Sequence, residues 1–152
     1  MSAHQQLLYH IIFSVKERRP LLRDDEFRIA TWAYMAGVVK NLQGWPLKIG
    51  GYYDHAHMLV RIPAKIAVAD FGGDADQHVN TSKHINESRD AVLKFHWQDG
   101  YGAFTVSPSC KQNVIEYIEN QMTHHHQQTF QEEFLEILEE HEVEYDLKYL
   151  WE

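Results

Sequence analysis

Hydrophobic and polar positions alternate along this chain with two different periods. Leu7–Val15 (LLYHIIFSV) is a short apolar run rich in β-branched and aromatic residues, and it predicts a strand. Pro20 interrupts the chain. Asp24 or Asp25 can then cap a helix on which Phe27, Ala30, Tyr34, Val38 and Leu42 recur at helical spacing, with Gly44 and Pro46 ending it. Two strands are expected over 46–53 and 54–62, with Gly50-Gly51 placed for a turn or bulge. Val68, Phe71, Val79 and Ile85 predict helical pieces over 66–88, interrupted at Gly72-Gly73. Strands follow over 92–98 and 103–106, separated by the turn Asp99-Gly100-Tyr101-Gly102. Ser107-Pro108-Ser109 signals a helix start, and 110–128 reads as one helix with Val114, Ile115, Ile118 and Met122 on its apolar side. A last helix over about 130–140 presents Phe134, Leu135 and Leu138.

The order β-α-β-β-α-β followed by helices predicts an α+β, ferredoxin-like or RRM-like antiparallel sheet with helices on one face. The 152 residues hold no repeat and no dividing linker, so one domain spanning 1–152 is expected. No apolar run reaches the ~20 residues of a membrane span, and no secretory signal precedes the first strand. A single cysteine, Cys110, excludes a disulfide framework and fits a reducing, cytosolic setting.

Charge changes this picture in one place. The net charge is −8, and residues 132–152 account for all of it, with nine acids against the single base Lys148. The rest of the chain is balanced, so attraction to phosphate would rest on local groups such as Lys16, Arg18, Arg19 and Arg23. The acidic C-terminal tail is expected to pack as a helix, aid solubility and lie away from any polyanion.

Two constellations carry candidate chemistry. His55 and His57, two apart on a strand, point to one face and are spaced to share a metal ion, although an H-x-H pair also describes surface histidines. Tyr117 and Gln121 lie one turn apart on a helix, with His124 and His125 continuing the stripe, a pattern that any amphipathic surface helix also shows. A third group, Thr81-Ser82-Lys83 with His84, suits a phosphate or a plain helix surface. Together the first two groups supply the parts of a phosphoryl-transfer site. A tyrosine hydroxyl, with a pKa near 10, is a weak nucleophile at neutral pH, and a divalent ion can polarise a phosphodiester for it.

In this combination the sequence resembles the single-tyrosine HUH transposases of bacterial insertion sequences and their REP-associated relatives. The resemblance rests on Tyr9-His10-Ile11-Ile12-Phe13-Ser14, Gly50-Gly51-Tyr52-Tyr53-Asp54-His55-Ala56-His57-Met58-Leu59-Val60 and Ser82-Lys83-His84-Ile85-Asn86. It continues through Trp97–Ser107, Tyr117-Ile118-Glu119-Asn120-Gln121 with His124-His125, and Tyr149-Leu150-Trp151. It implies a transposase that cleaves and rejoins single-stranded DNA through a 5′-phosphotyrosine on Tyr117. It further implies a divalent metal, Mg²⁺ or Mn²⁺, held by His55, His57 and Gln121. Single-stranded DNA with terminal hairpins, a homodimer whose tyrosine helix can complete the partner's site, and action in the bacterial cytosol are also implied. Two other readings stand beside it. One is a metal-dependent phosphodiester hydrolase using His55, His57 and one of His124, His125 or His126, with a water in place of Tyr117. The other is a non-catalytic nucleic-acid-binding relative that stacks bases on Tyr9, Phe13, Tyr52, Tyr53, Phe95 or Trp97.

Overall fold

A computed structural model describes residues 1–72, 77–88 and 94–152. Strand β1 (Leu8–Ser14) leads through a short 3₁₀ turn into helix α1 (Asp25–Asn41), and β2 (Trp45–Gly51) and β3 (His55–Arg61) follow. Helices α2 (Val68–Gly72) and α3 (Gln77–Ser88) precede β4 (Gly102–Thr105), and α4 (Lys111–Glu119), α5 (Gln121–His124) and α6 (Phe130–Glu140) complete the order. The four strands form one antiparallel sheet in the order β2-β3-β1-β4, which is the expected α+β, ferredoxin-like arrangement.

Local chemistry explains most element ends. Asp24 caps α1, its Oδ1 accepting from the Phe27 N–H at 2.8 Å. Thr129 and Glu132 form a reciprocal capping box at the start of α6. Pro46 sits in β2, an edge strand, where its missing N–H costs no ladder bond, and the register shifts beside it. The β2–β3 turn needs Gly51, because a Cβ there would meet the His55 carbonyl oxygen at 2.3 Å. Gly50 matters differently: a Cβ would lie 2.9 Å from Ile118 Cγ2 and 3.0 Å from its carbonyl oxygen. Its absence lets α4 lie directly on β2.

The strands divide the interior by parity. Ile11, Phe13, Met58 and Val60 point to one face, where Met35 and Val39 of α1, Phe71 of α2 and Ile85 of α3 close the main core with Phe95 and Trp97. Ile12 and Phe104 point to the other face and pack against Phe130, Ile137 and Leu138 of α6. Helices thus cover the expected face and, through α4–α6, part of the second as well. The second face needs cover too, because Ile12 and Leu59 share it with His10, His55 and His57, which are buried and require partners.

Two local expectations differ. The expected strand over 92–98 is not formed where it is described: Val92 and Leu93 lie outside the described residues, and 94–98 hold a single bridge, Val15↔Trp97. There Asn86 replaces a ladder partner, its amide bonding both the N–H and the carbonyl of Phe95. The single helix over 110–128 is broken at Asn120 (φ −90°, ψ 8°) and ends at His125. The expected helical pieces are found at Val68–Gly72 and Gln77–Ser88; 73–76 and the side chain of Val79 lie outside the described residues.

Candidate functional site

On β3, Ala56 and Met58 face the main core, so His55 and His57 must face the opposite side. Both are fully buried, at 0% exposure, so these histidines are not a surface pair. Each ring is fixed from behind. Asp54 Oδ1 accepts from Nδ1 of His55 at 2.7 Å. Nδ1 of His57 lies 2.8 Å from Nε2 of His10, which points to the same face from β1. Their shared proton can reside on either ring, so Nε2 of His57 can be either a donor or a lone pair.

The close approach of α4 to β2 brings the second constellation over this pair. Gln121 Oε1 lies 2.9 Å from Nε2 of His55, and the Tyr117 ring centroid is 5.8 Å from that of His57. All four expected site residues, His55, His57, Tyr117 and Gln121, therefore meet within one chain. What joins them is Glu133 of α6, only 1% exposed. Its Oε1 lies 3.1 Å from Nε2 of His57. Its Oε2 accepts from Gln121 Nε2 at 2.8 Å and from the Tyr117 hydroxyl in a short hydrogen bond. His125 also enters, with Nε2 3.2 Å from Glu133 Oε1 and Nδ1 bonded to the Gln128 carbonyl at 2.7 Å.

Burial and charge shift these groups in opposed directions. Burial, then the neighbouring Glu133 carboxylate, pushes the Tyr117 hydroxyl well above the ordinary tyrosine value, so the phenol is held protonated. Burial opposes the charge on Glu133, but His57, His125 and His55 outweigh it and hold the carboxyl well below the usual range. Burial lowers His57 against the pull of Glu133. Burial, reinforced by His57, lowers His10 much further. For His125 burial acts downward, but Glu133 prevails and raises it.

These donors suit a cation. A carbonyl only accepts, so neutral His125 carries its proton on Nδ1 and turns a lone pair on Nε2 inward. That buried Nε2 has no hydrogen-bond partner despite its closeness to Glu133. One ligand atom from each of His55, His57, His125 and Glu133 lies within 4.8 Å of the others. With Nε2 of His124, which is also buried without a hydrogen-bond partner 3.3 Å from Glu133 Oε2, four imidazole nitrogens surround the carboxylate and require protons or a positive ion among them.

His10 and Glu133 were not singled out from the sequence as ligands or partners in this site; His125 was, but only on the polar stripe and as one of three possible third ligands in the hydrolase reading. For Glu133 the signal was present: it lies on the helix stripe of Phe130, Ile137 and Leu138, where a carboxylate is out of place unless it has partners. The acidic segment is therefore not wholly remote from the site, because one of its carboxylates is the centre of it. Thr81, by contrast, is buried, Lys83 reaches Glu87 at 4.0 Å, and His84 stacks on Tyr34, so that group forms a helix surface and core contact, with no phosphate cradle. Of the strand aromatics, Phe13, Phe95 and Trp97 are core residues and Tyr9 packs against the core; Tyr52 stacks on Tyr53. Of the basic residues near the N-terminus, Arg18 lies over Trp151 and Arg23 over Tyr53. No described helix is long and apolar enough to cross a membrane.

Comparison with known proteins gives a consistent result. A family model described as "Transposase IS200 like" matches residues 3–121. A crystal structure assigned as a transposase from Deinococcus radiodurans R1 is similar in fold, with a TM-score of 0.62 and 19% identity, covering 80% of this chain and 95% of that one. A REP-associated tyrosine transposase bound to a REP hairpin is also similar, with a TM-score of 0.53 and 15% identity, covering 82% of this chain and 74% of that one. At these identities the likeness is one of fold. No curated protein matches the sequence.

Proposed function

The chain belongs to the family of IS200-like transposases, and from that premise we propose that it cleaves and rejoins single-stranded DNA with Tyr117 as nucleophile. One observation carries the reading: the Tyr117 hydroxyl and the buried pair His55 and His57 are joined through a single carboxylate, Glu133. Nothing in folding requires a phenol, two imidazoles and an amide to converge on one buried point.

In this reading Tyr117 Oη attacks the phosphorus, the bond from phosphorus to the 3′ oxygen breaks, and Tyr117 keeps the 5′-phosphate side. The 3′ oxygen leaves and becomes a 3′-hydroxyl by taking up the proton that Tyr117 gives up. The phenolic proton already points at Glu133 Oε2, the group placed to receive it. A divalent ion held by His55 and His57, with Gln121, would polarise the phosphate and offset its developing charge. Asp54 and His10 keep the two imidazoles aimed. The hairpin carried by the REP-associated relative supports a hairpin-bearing DNA substrate. The homodimer implied by the resemblance is part of the proposal, but the arrangement within one chain does not need a partner's tyrosine.

The test is a denaturing gel after mixing the protein, Mn²⁺ and labelled single-stranded hairpin DNA. A slow covalent band is expected with wild type and none with Tyr117→Phe. The third histidine, His125, favours a hydrolase as the second reading. Cleavage that survives in Tyr117→Phe without any covalent band would select it.

A further inference from the structure

We propose that His125 and Glu133 are ligands of the same divalent ion as His55, His57 and Gln121, which gives the centre three histidines, one carboxylate and an amide and makes it prefer Mn²⁺ or Zn²⁺ to Mg²⁺. This rests on the reading that the histidine pair holds a metal, and it adds two ligands from the chain beyond the tyrosine helix.

The geometry supports it in three ways. First, Oε1 of Glu133 stands 3.1, 3.2 and 3.5 Å from Nε2 of His57, His125 and His55. Ligands about 2.0–2.1 Å from a common ion lie about 2.9–3.4 Å apart, from octahedral to tetrahedral arrangement. The His57 and His125 distances meet this range, and the wider set, within 4.8 Å, would draw in towards it around an ion. Second, each imidazole is engaged on Nδ1 by a separate group: Asp54 for His55, His10 for His57 and the Gln128 carbonyl for His125. This pattern turns all three Nε2 atoms to one point, as outer groups do around bound metals. Third, Nε2 of His125 is buried and has no hydrogen-bond partner.

The chemistry of the set selects the ion. Mg²⁺ prefers oxygen ligands and keeps its waters, whereas imidazole suits more borderline cations. Glu133 comes from the first helical turn of α6, where the exposed N–H groups favour a negative charge, and the Thr129–Glu132 capping box fixes that turn. Its second oxygen holds the Tyr117 hydroxyl, so one side chain links the ion to the nucleophile.

X-ray absorption on the Zn²⁺-loaded wild-type chain tests this without any variant. Three imidazole neighbours are expected. Two would overturn the proposal for His125 while leaving the metal at the histidine pair. None, or no binding, would remove that underlying reading as well. Calorimetric titration with Mn²⁺ gives the second arm. Glu133→Gln and His125→Ala, each checked for folding by circular dichroism, should bind at least ~10-fold more weakly than wild type. Wild-type affinity in a folded Glu133→Gln chain would overturn the carboxylate ligand. Mg²⁺ binding as tight as Mn²⁺ would overturn the stated preference. Whether wild type forms the tyrosine–DNA adduct is scored separately, so failure of the transposase reading is distinguishable from failure of this one.

Discussion

The two faces of the sheet are made by the same strands and obey different rules. On one face Ile11, Phe13, Met58 and Val60 meet α1 and α3, and the contacts are apolar and non-directional. On the other face His10, His55 and His57 alternate with those residues and meet Gln121, Glu133 and Tyr117, and the contacts are polar and directional. Burial is equally deep on both sides: Met58 and His57 are each at 0% exposure. Depth therefore does not separate core from site; the need for partners does. An apolar side chain gains from burial alone, whereas a buried imidazole gains only if each nitrogen is satisfied.

This contrast can be broken or sharpened by substitution. The largest effect is expected for Tyr117→Phe: the covalent DNA adduct falls to background on a denaturing gel. Removing the hydroxyl's bond to Glu133 should cost only about 0.5–3 kcal/mol in stability. Next, His57→Ala should lower Mn²⁺ affinity by more than the ~10–100-fold that loss of an outer group costs, as read by calorimetry. The mirror experiment is Phe13→Ala on the opposite face. Denaturant unfolding should show a loss of about 3–5 kcal/mol, with adduct yield per folded molecule unchanged. If that yield dropped to the background expected of Tyr117→Phe, the faces would not be separable. Asp54→Asn removes a group behind His55 and should weaken Mn²⁺ binding by about 10–100-fold with little change in unfolding midpoint. The smallest effect is expected for Thr129→Ala, which removes the α6 cap at a cost of about 0.5–2 kcal/mol. A weakened metal affinity in that variant would tie the placement of Glu133 to the cap.

Much of the frame was legible because its causes are local. The alternation through His55–Val60, the Asp24 cap and the spacing Phe27 to Val38 each depend on neighbours within a few residues. The spacing of Tyr117 and Gln121, one turn apart, was legible for the same reason, but any amphipathic surface helix shows it, and only the family resemblance singled the pair out. The residues 94–98 misled, because an apolar run has the composition of a strand whether or not a partner is available; here the Asn86 side chain takes the backbone bonds of Phe95. The break at Asn120 also escaped, because the hydrophobic stripe continues through it.

By itself the sequence determined the strand and helix periods, the order of elements, and the fact that two imidazoles share one face. Only the tertiary structure decided that this face is buried, that Gly50 lets α4 lie close enough to bring Tyr117 over it, and that Glu133 stands at the centre. The physical reason is range. Periodicity and caps act between residues a turn apart, whereas His57 and Glu133 are separated by 76 positions and meet only because sheet register and the docking of α6 place them together.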